Sequence, residues 1–118
     1  MARFRLSALA EDDVRQLLSM SLERWGTDGQ QRYARLLATA FMAIARNPAG
    51  PSTRDRAALV PGLRSFHLRS SREKSGVTAP VHLVYFRIAK RDVVEIVRVL
   101  HERMDPTAHL PRTRLRKP

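Results

Sequence analysis

"VHLVYFRIAKRDVVEIVRVL", residues 81–100, reads as two β-strands joined by a short charged turn. On either side of "AKRD" the positions are mostly β-branched, aromatic or aliphatic, the residue types that suit a pleated surface. Both segments are apolar at odd and even positions alike, which is expected of central strands covered on both faces. Upstream, "LRSFHLRS" at 63–70 alternates with period two, placing Arg64, Phe66 and Leu68 on one side and Ser65, His67 and Arg69 on the other. The polar turn "SSREKSG" links it to the pair, so three strands in an antiparallel meander are predicted.

Toward the N-terminus the apolar period changes from two to 3.6. Only "RFRLS" at 3–7 alternates, as a short half-buried strand would, with Phe4 and Leu6 on the buried side. Ser7 then stands where a helix cap is needed, ahead of Glu11 and Asp12, whose charges suit the positive end of a helix dipole. The acidic run "EDD" at 11–13 reads as a solvated helix N-terminus. Val14, Leu17, Leu18, Leu22 and Trp25 form one stripe, which Gly26 stops. Thr27 and Gln30 have capping-box spacing and open a second helix, whose stripe is Tyr33, Leu36, Leu37, Ala40, Phe41 and Ile44. "NPAGPST" ends it, because Pro48 disfavours helix at the preceding Asn47. Two amphipathic helices with almost no connection fold back as an antiparallel hairpin. The expected architecture is therefore α+β: a short N-terminal strand, a helical hairpin, then a three-stranded antiparallel meander with the helices on one sheet face. Residues 1–111 make a single domain, and 112–118 a basic tail expected to be disordered.

A chain of 118 residues suits one domain with one modest core. The net charge of +11 is unevenly spread: residues 1–50 carry 7 basic and 5 acidic side chains, residues 51–118 carry 15 and 6. The second half should therefore attract an acidic partner or a polyanion. With no cysteine, disulfides and thiolate metal sites are excluded. The N-terminus lacks the apolar run of a secretion signal and no stretch suits a membrane span, so a soluble cytoplasmic protein is expected. His67, His82, His101 and His109 have no metal-ligand spacing, and no glycine-rich phosphate loop is present, so neither metal nor cofactor is expected.

Metal-free RNA cleavage needs a base, a cation on the phosphate oxygens and an acid for the leaving oxygen. "RVLHER" offers Arg98, His101 and Arg103 within six residues. In a regular strand Arg98 and His101 point to opposite faces, so they meet only if the strand bends or ends between them. The bland reading makes Arg98 an arginine whose stem packs in the sheet while its head pairs with a carboxylate or reaches water. Arg64, Arg69, Arg72 and Lys74 read either as a solvated edge strand or, paired across strands with Arg87 and Arg98, as a concave basic face, and the sequence leaves the register open.

The order of elements, with "LSALAEDDVRQL", "ERWG", "YARLLATAFMAIARNP", "GLRSFHL", "HLVYFRI" and "EIVRVLHERMDPTAHLP", resembles the ParE-type toxins of the RelE/ParE superfamily across residues 3 to 111. The resemblance implies the toxin of a type II toxin–antitoxin module, which binds DNA gyrase and so stops replication without catalysis of its own. It also implies a ParD-type ribbon-helix-helix antitoxin whose flexible C-terminal segment wraps the toxin in a hetero-oligomeric complex. That complex would touch operator DNA only through the antitoxin. The gyrase-directed surface is expected to include Arg64, Arg69, Arg87, Arg98, His101 and Arg103, and the antitoxin groove Trp25, Tyr33, Leu37 and Phe41. In the RelE branch, which cuts mRNA on the ribosome, Arg98, His101 and Arg103 would instead be the catalytic set. The chain departs from that branch in lacking a lysine-rich central strand.

Overall fold

The computed structural model describes residues 3–90 and 92–110; the expected basic tail lies outside them. In chain order the elements are β1 (Arg3–Leu6), α1 (Ala8–Arg46), β2 (Thr53–Asp55), β3 (Arg64–His67), a 3₁₀ turn at Leu68–Ser71, β4 (His82–Lys90), β5 (Val93–His101) and a second 3₁₀ turn at Pro106–Ala108. The meander β3-β4-β5 is antiparallel as expected. A strand on each side enlarges it to five, in the order β1-β5-β4-β3-β2. β1 runs parallel to β5, from Arg3 opposite Val93 to Leu6 opposite Ile96, so the sheet is mixed. β2 was not expected, because "TRD" carries no apolar alternation; it forms by pairing antiparallel with the open edge of β3. β3 is shorter than the alternation suggested. His67 Nδ1 accepts the Arg69 backbone N–H at 3.1 Å and starts the 3₁₀ turn there.

Ser7 caps α1 as its position foretold: its Oγ accepts the Ala10 N–H at 3.0 Å. The same hydroxyl donates to the Val97 carbonyl at 2.8 Å, tying the helix start to β5. α1 is broken at Gly26, where φ is 74° and ψ is −170°. That backbone region is essentially reserved for glycine. The arms are residues 8–25 and 27–46. Gln30 Nε2 donates to the Leu18 carbonyl at 3.1 Å, whereas residues twelve apart on an unbroken helix lie about 18 Å apart. The arms therefore fold back on each other, and the Gln30 amide braces the elbow. Gly29, three residues past the break, is buried against Trp25: a Cβ there would overlap the Cβ of Trp25.

Two apolar clusters explain why β4 and β5 are apolar on both faces. The larger lies between the arms and the sheet and takes the whole second-arm stripe from Tyr33 to Ile44 together with Phe66, Val84, Phe86, Ile96 and Val99. The other joins Val60, Leu63, Tyr85, Val97, Leu100 and Leu110. The first-arm stripe is buried at Leu17 but not to its end: Leu22 and Trp25 are 44% and 57% exposed beside the elbow. A β-bulge sets the faces of β5. Tyr85 pairs with Arg98 and Phe86 with Ile96, which leaves Val97 as the extra residue.

Candidate functional site

The charge at the end of β5 divides into two separate environments. Arg98 donates from Nε and Nη2 to the two carboxylate oxygens of Asp13, at 2.8 and 2.9 Å, and from Nη1 to the His109 carbonyl at 2.7 Å. Asp13 Oδ2 also accepts the Val99 backbone N–H at 2.9 Å. The two side chains are only 15% and 13% exposed. The hydrogen bond to Asp13 raises the Arg98 pKa above its ordinary value, so the guanidinium is permanently charged. Arg98 thus clamps the first helical arm and the C-terminal turn onto β5. This corrects the reading of "EDD" as wholly solvated: Asp12 is exposed beside Arg15, but Asp13 is the counter-ion of the sheet.

His101 lies on the helix side of the sheet, opposite His82 in the β4–β5 ladder. Their rings meet edge to face with centroids 5.4 Å apart. His101 Nδ1 accepts the Arg103 backbone N–H at 3.0 Å, which leaves Nε2 to carry the proton of the neutral ring. His82 Nδ1 lies 2.9 Å from the Tyr33 hydroxyl. Burial pushes His82 down to about 4, and the neighbouring His101 and His67 add to the shift. Burial also pushes Tyr33 up to about 12, against a smaller opposing effect of a backbone hydrogen bond at Val81. At neutral pH, His82 is therefore uncharged and Tyr33 keeps its proton. This chain of three rings borders a groove of about 450 Å³ beside the elbow, walled by Leu17, Met20, Trp25, Val77 and Pro80, with Arg24 and Arg32 among its lining. Gly76 lets the 76–81 wall approach: its φ is 83°, and a Cβ there would run into the Arg32 stem.

The six basic residues expected to share a face are not brought together. Arg64 donates to the Pro48 carbonyl at 3.0 Å and to Thr53 Oγ1 at 2.8 Å. Arg87 donates to Glu95 at 2.8 Å, and Arg5 approaches the same carboxylate at 3.8 Å. Arg98 is bound to Asp13 and the His109 carbonyl, Arg64 and Arg87 are each partly committed, and Arg69 and Arg103 make no side-chain hydrogen bond or ion pair among the described residues. Arg98 and His101 do not converge, because the bulge at Val97 precedes both and the strand is regular between them. The expected antitoxin residues also need correction. Leu37 and Phe41 are 2% and 5% exposed in the core, so no partner can reach them without unfolding it. Tyr33 is 6% exposed and meets the groove only as part of its lining, while Trp25 is open. His82 and the 76–81 wall were missed; only the strand register places them beside Tyr33. Among the described residues no group of three or more His, Cys, Asp or Glu is placed to hold a metal, and no helix is long and apolar enough to cross a membrane.

A helical hairpin packed on a sheet whose last strand pairs with the first is consistent with a RelE/ParE-like fold. Residues 4–106 match the family described as ParE toxin of type II toxin-antitoxin system, parDE, and the chain belongs to that family. It is similar to Toxin ParE1 of Caulobacter vibrioides (strain ATCC 19089 / CIP 103742 / CB 15), 36% identical over 110 residues that cover 93% of this chain and 99% of the relative. It is also similar to Toxin ParE1 of Mycobacterium tuberculosis (strain ATCC 25618 / H37Rv), 28% identical over 109 residues that cover 92% and 98%. Membership implies an antitoxin partner.

Proposed function

We propose that this toxin stops bacterial growth by binding DNA gyrase, catalyses nothing itself, and is neutralised in the cytoplasm by a ParD-type antitoxin. The observation that supports binding over cleavage is the separation of Arg98 from His101. A ribonuclease of the RelE kind would need the two to converge on one phosphate, but Arg98 is drawn away to Asp13 and the His109 carbonyl. The target-facing surface we assign is Arg69, His101 and Arg103, with Arg64, Arg87 and Arg98 holding the sheet that displays them. For the antitoxin we assign the elbow groove. Its wall of Met20, Trp25, Val77 and Pro80 suits an apolar anchor, and Arg24 and Arg32 suit a carboxylate on the same segment.

Inducing the toxin alone while pulse-labelling DNA and protein synthesis tests the target. DNA synthesis should stop first, with gyrase-linked breaks accumulating. His101→Ala should weaken killing by no more than about fivefold, the loss of one surface contact. If protein synthesis stops first, and His101→Ala lowers activity about 10²–10⁴-fold as loss of a general acid or base would, the binding reading is wrong.

A further inference from the structure

On the β2–β3 side of the sheet lies a second cavity, of about 310 Å³. Arg54, Arg56, His67 and Arg69 line it, with Ser65 and Ser70 between them, and none of its lining residues is acidic. The register brings these residues together. Arg54 lies directly opposite Ser65, and His67 follows two residues later on the same face of β3. Arg56 is held in place near its head: Nε donates to Ser65 Oγ at 2.8 Å, which leaves both Nη groups without a hydrogen-bond partner among the described residues. Arg54 and Arg69 are exposed, and neither guanidinium bonds a protein group among the described residues. The nearby carboxylate, Glu102, accepts from His67 Nε2 at 2.8 Å. That bond, with smaller help from Arg69, holds Glu102 below the usual carboxylate range. Three guanidinium groups therefore line a polar hollow that has no carboxylate in its lining, with Glu102 held beside it on His67, which concentrates positive potential there.

We propose that this cavity binds the phosphodiester backbone of a nucleic-acid strand without cutting it. Guanidinium forks match phosphate oxygens two at a time, and serine hydroxyls add donors of the kind such backbones accept. An amphipathic acidic peptide fits less well, because the apolar part of the lining is reduced to Pro51 and Leu83. Cleavage would need a base with an unoccupied nitrogen. His67, the one imidazole in the lining, has Nδ1 occupied by the Arg69 N–H and Nε2 by Glu102. His101 is absent from this lining and belongs to the elbow groove. The proposal does not rest on gyrase being the target or on the antitoxin groove.

The test is fluorescence anisotropy of the full chain with labelled single-stranded DNA and RNA of one short sequence, across a salt series. Arg54→Ala with Arg69→Ala should weaken binding about tenfold or more and lower the slope of log K against log salt by about 1.4, two contacts at ~0.7 each. The tail pair Arg114→Ala with Arg116→Ala should leave that pocket-dependent difference in place. On the unmodified protein, bound oligonucleotide should protect Arg54 and Arg69 from phenylglyoxal, read by mass spectrometry. The ratio of DNA to RNA affinity then identifies the source of the phosphodiester. The proposal is overturned if the double variant binds within twofold of the parent, if the two arginines are not protected, or if poly-glutamate competes as well as the oligonucleotide. Cut RNA would overturn its second half.

Discussion

Arg98 and Arg54 sit on opposite sides of the same sheet and have opposite fates. At the β1–β5 side, the first helical arm delivers Asp13 to Arg98, and the pair is nearly withdrawn from water. At the β2–β3 side Arg54 pairs with no carboxylate among the described residues, and its guanidinium stays exposed beside Arg56 and Arg69. Both are strand arginines, Arg98 on the interior strand β5 and Arg54 on the edge strand β2. What differs is whether a distant segment supplies the counter-ion, and that decides which arginine is structural and which is available for binding. A buried pair resists loss of one partner because the survivor is left charged and dry. An exposed arginine with no partner can be removed with little consequence for the fold.

The largest test of that contrast is Asp13→Ala. It should cost about 3–5 kcal/mol, read from urea unfolding, because Arg98 loses its carboxylate and the Val99 N–H its acceptor. A loss under 1 kcal/mol would make the two sides equivalent and break the comparison. Gly26→Ala comes next, at about 1–3 kcal/mol, since its backbone lies where a Cβ is strained. If that change also weakens the Arg98 clamp, double-mutant cycles with Asp13→Ala will show coupling through the first arm.

Acid provides a third test. His82 has its pKa lowered from 6.5 to about 4 in the folded chain, so below 6.5 the unfolded chain binds the extra proton first. Stability present above pH 6.5 is therefore lost as pH falls from 6.5 through 4. The slope is at most about 1.4 kcal/mol per pH unit, and less because the ring is partly exposed. His82→Gln should flatten thermal-melt profiles over that window; an unchanged profile would remove His82 from the account. The smallest effect is expected for Arg54→Ala, within about 0.5 kcal/mol of the parent by urea unfolding. A larger loss would mean that Arg54 holds the fold after all.

Local pattern carried most of the architecture. The second-arm stripe from Tyr33 to Ile44 is buried as its spacing predicted, and the two-faced apolarity of β4 and β5 matches a core on each side. Gly26 and Ser7 mark the breaks they were expected to mark. What local pattern lacks is pairing. Nothing in "TRD" announces β2, and nothing in "RFRL" says that its partner is parallel and at the far end of the chain. The site depended on such pairings. Asp13 meets Arg98 across 85 positions, and Tyr33 meets His82 across 49. Leu37 and Phe41, expected to face an antitoxin, are buried against the sheet for a related reason: a helix stripe looks the same whether a sheet or a partner covers it. Trp25, at the end of its stripe, escapes the core only because the arm turns away at Gly26.

The parallel ladder between β1 and β5 also sets a schedule for synthesis. Arg3 is made 90 residues before its partner Val93. The acceptor for Ser7 on Val97 and the counter-ion of Asp13 arrive with the same strand. Until that strand emerges from the ribosome, the hairpin has no sheet to close on, and contacts this distant in sequence form late. A chain that ends before β5 therefore lacks the partner strand of β1 and the counter-ion of Asp13. Completion of β5 is therefore the step for which closure of the core waits.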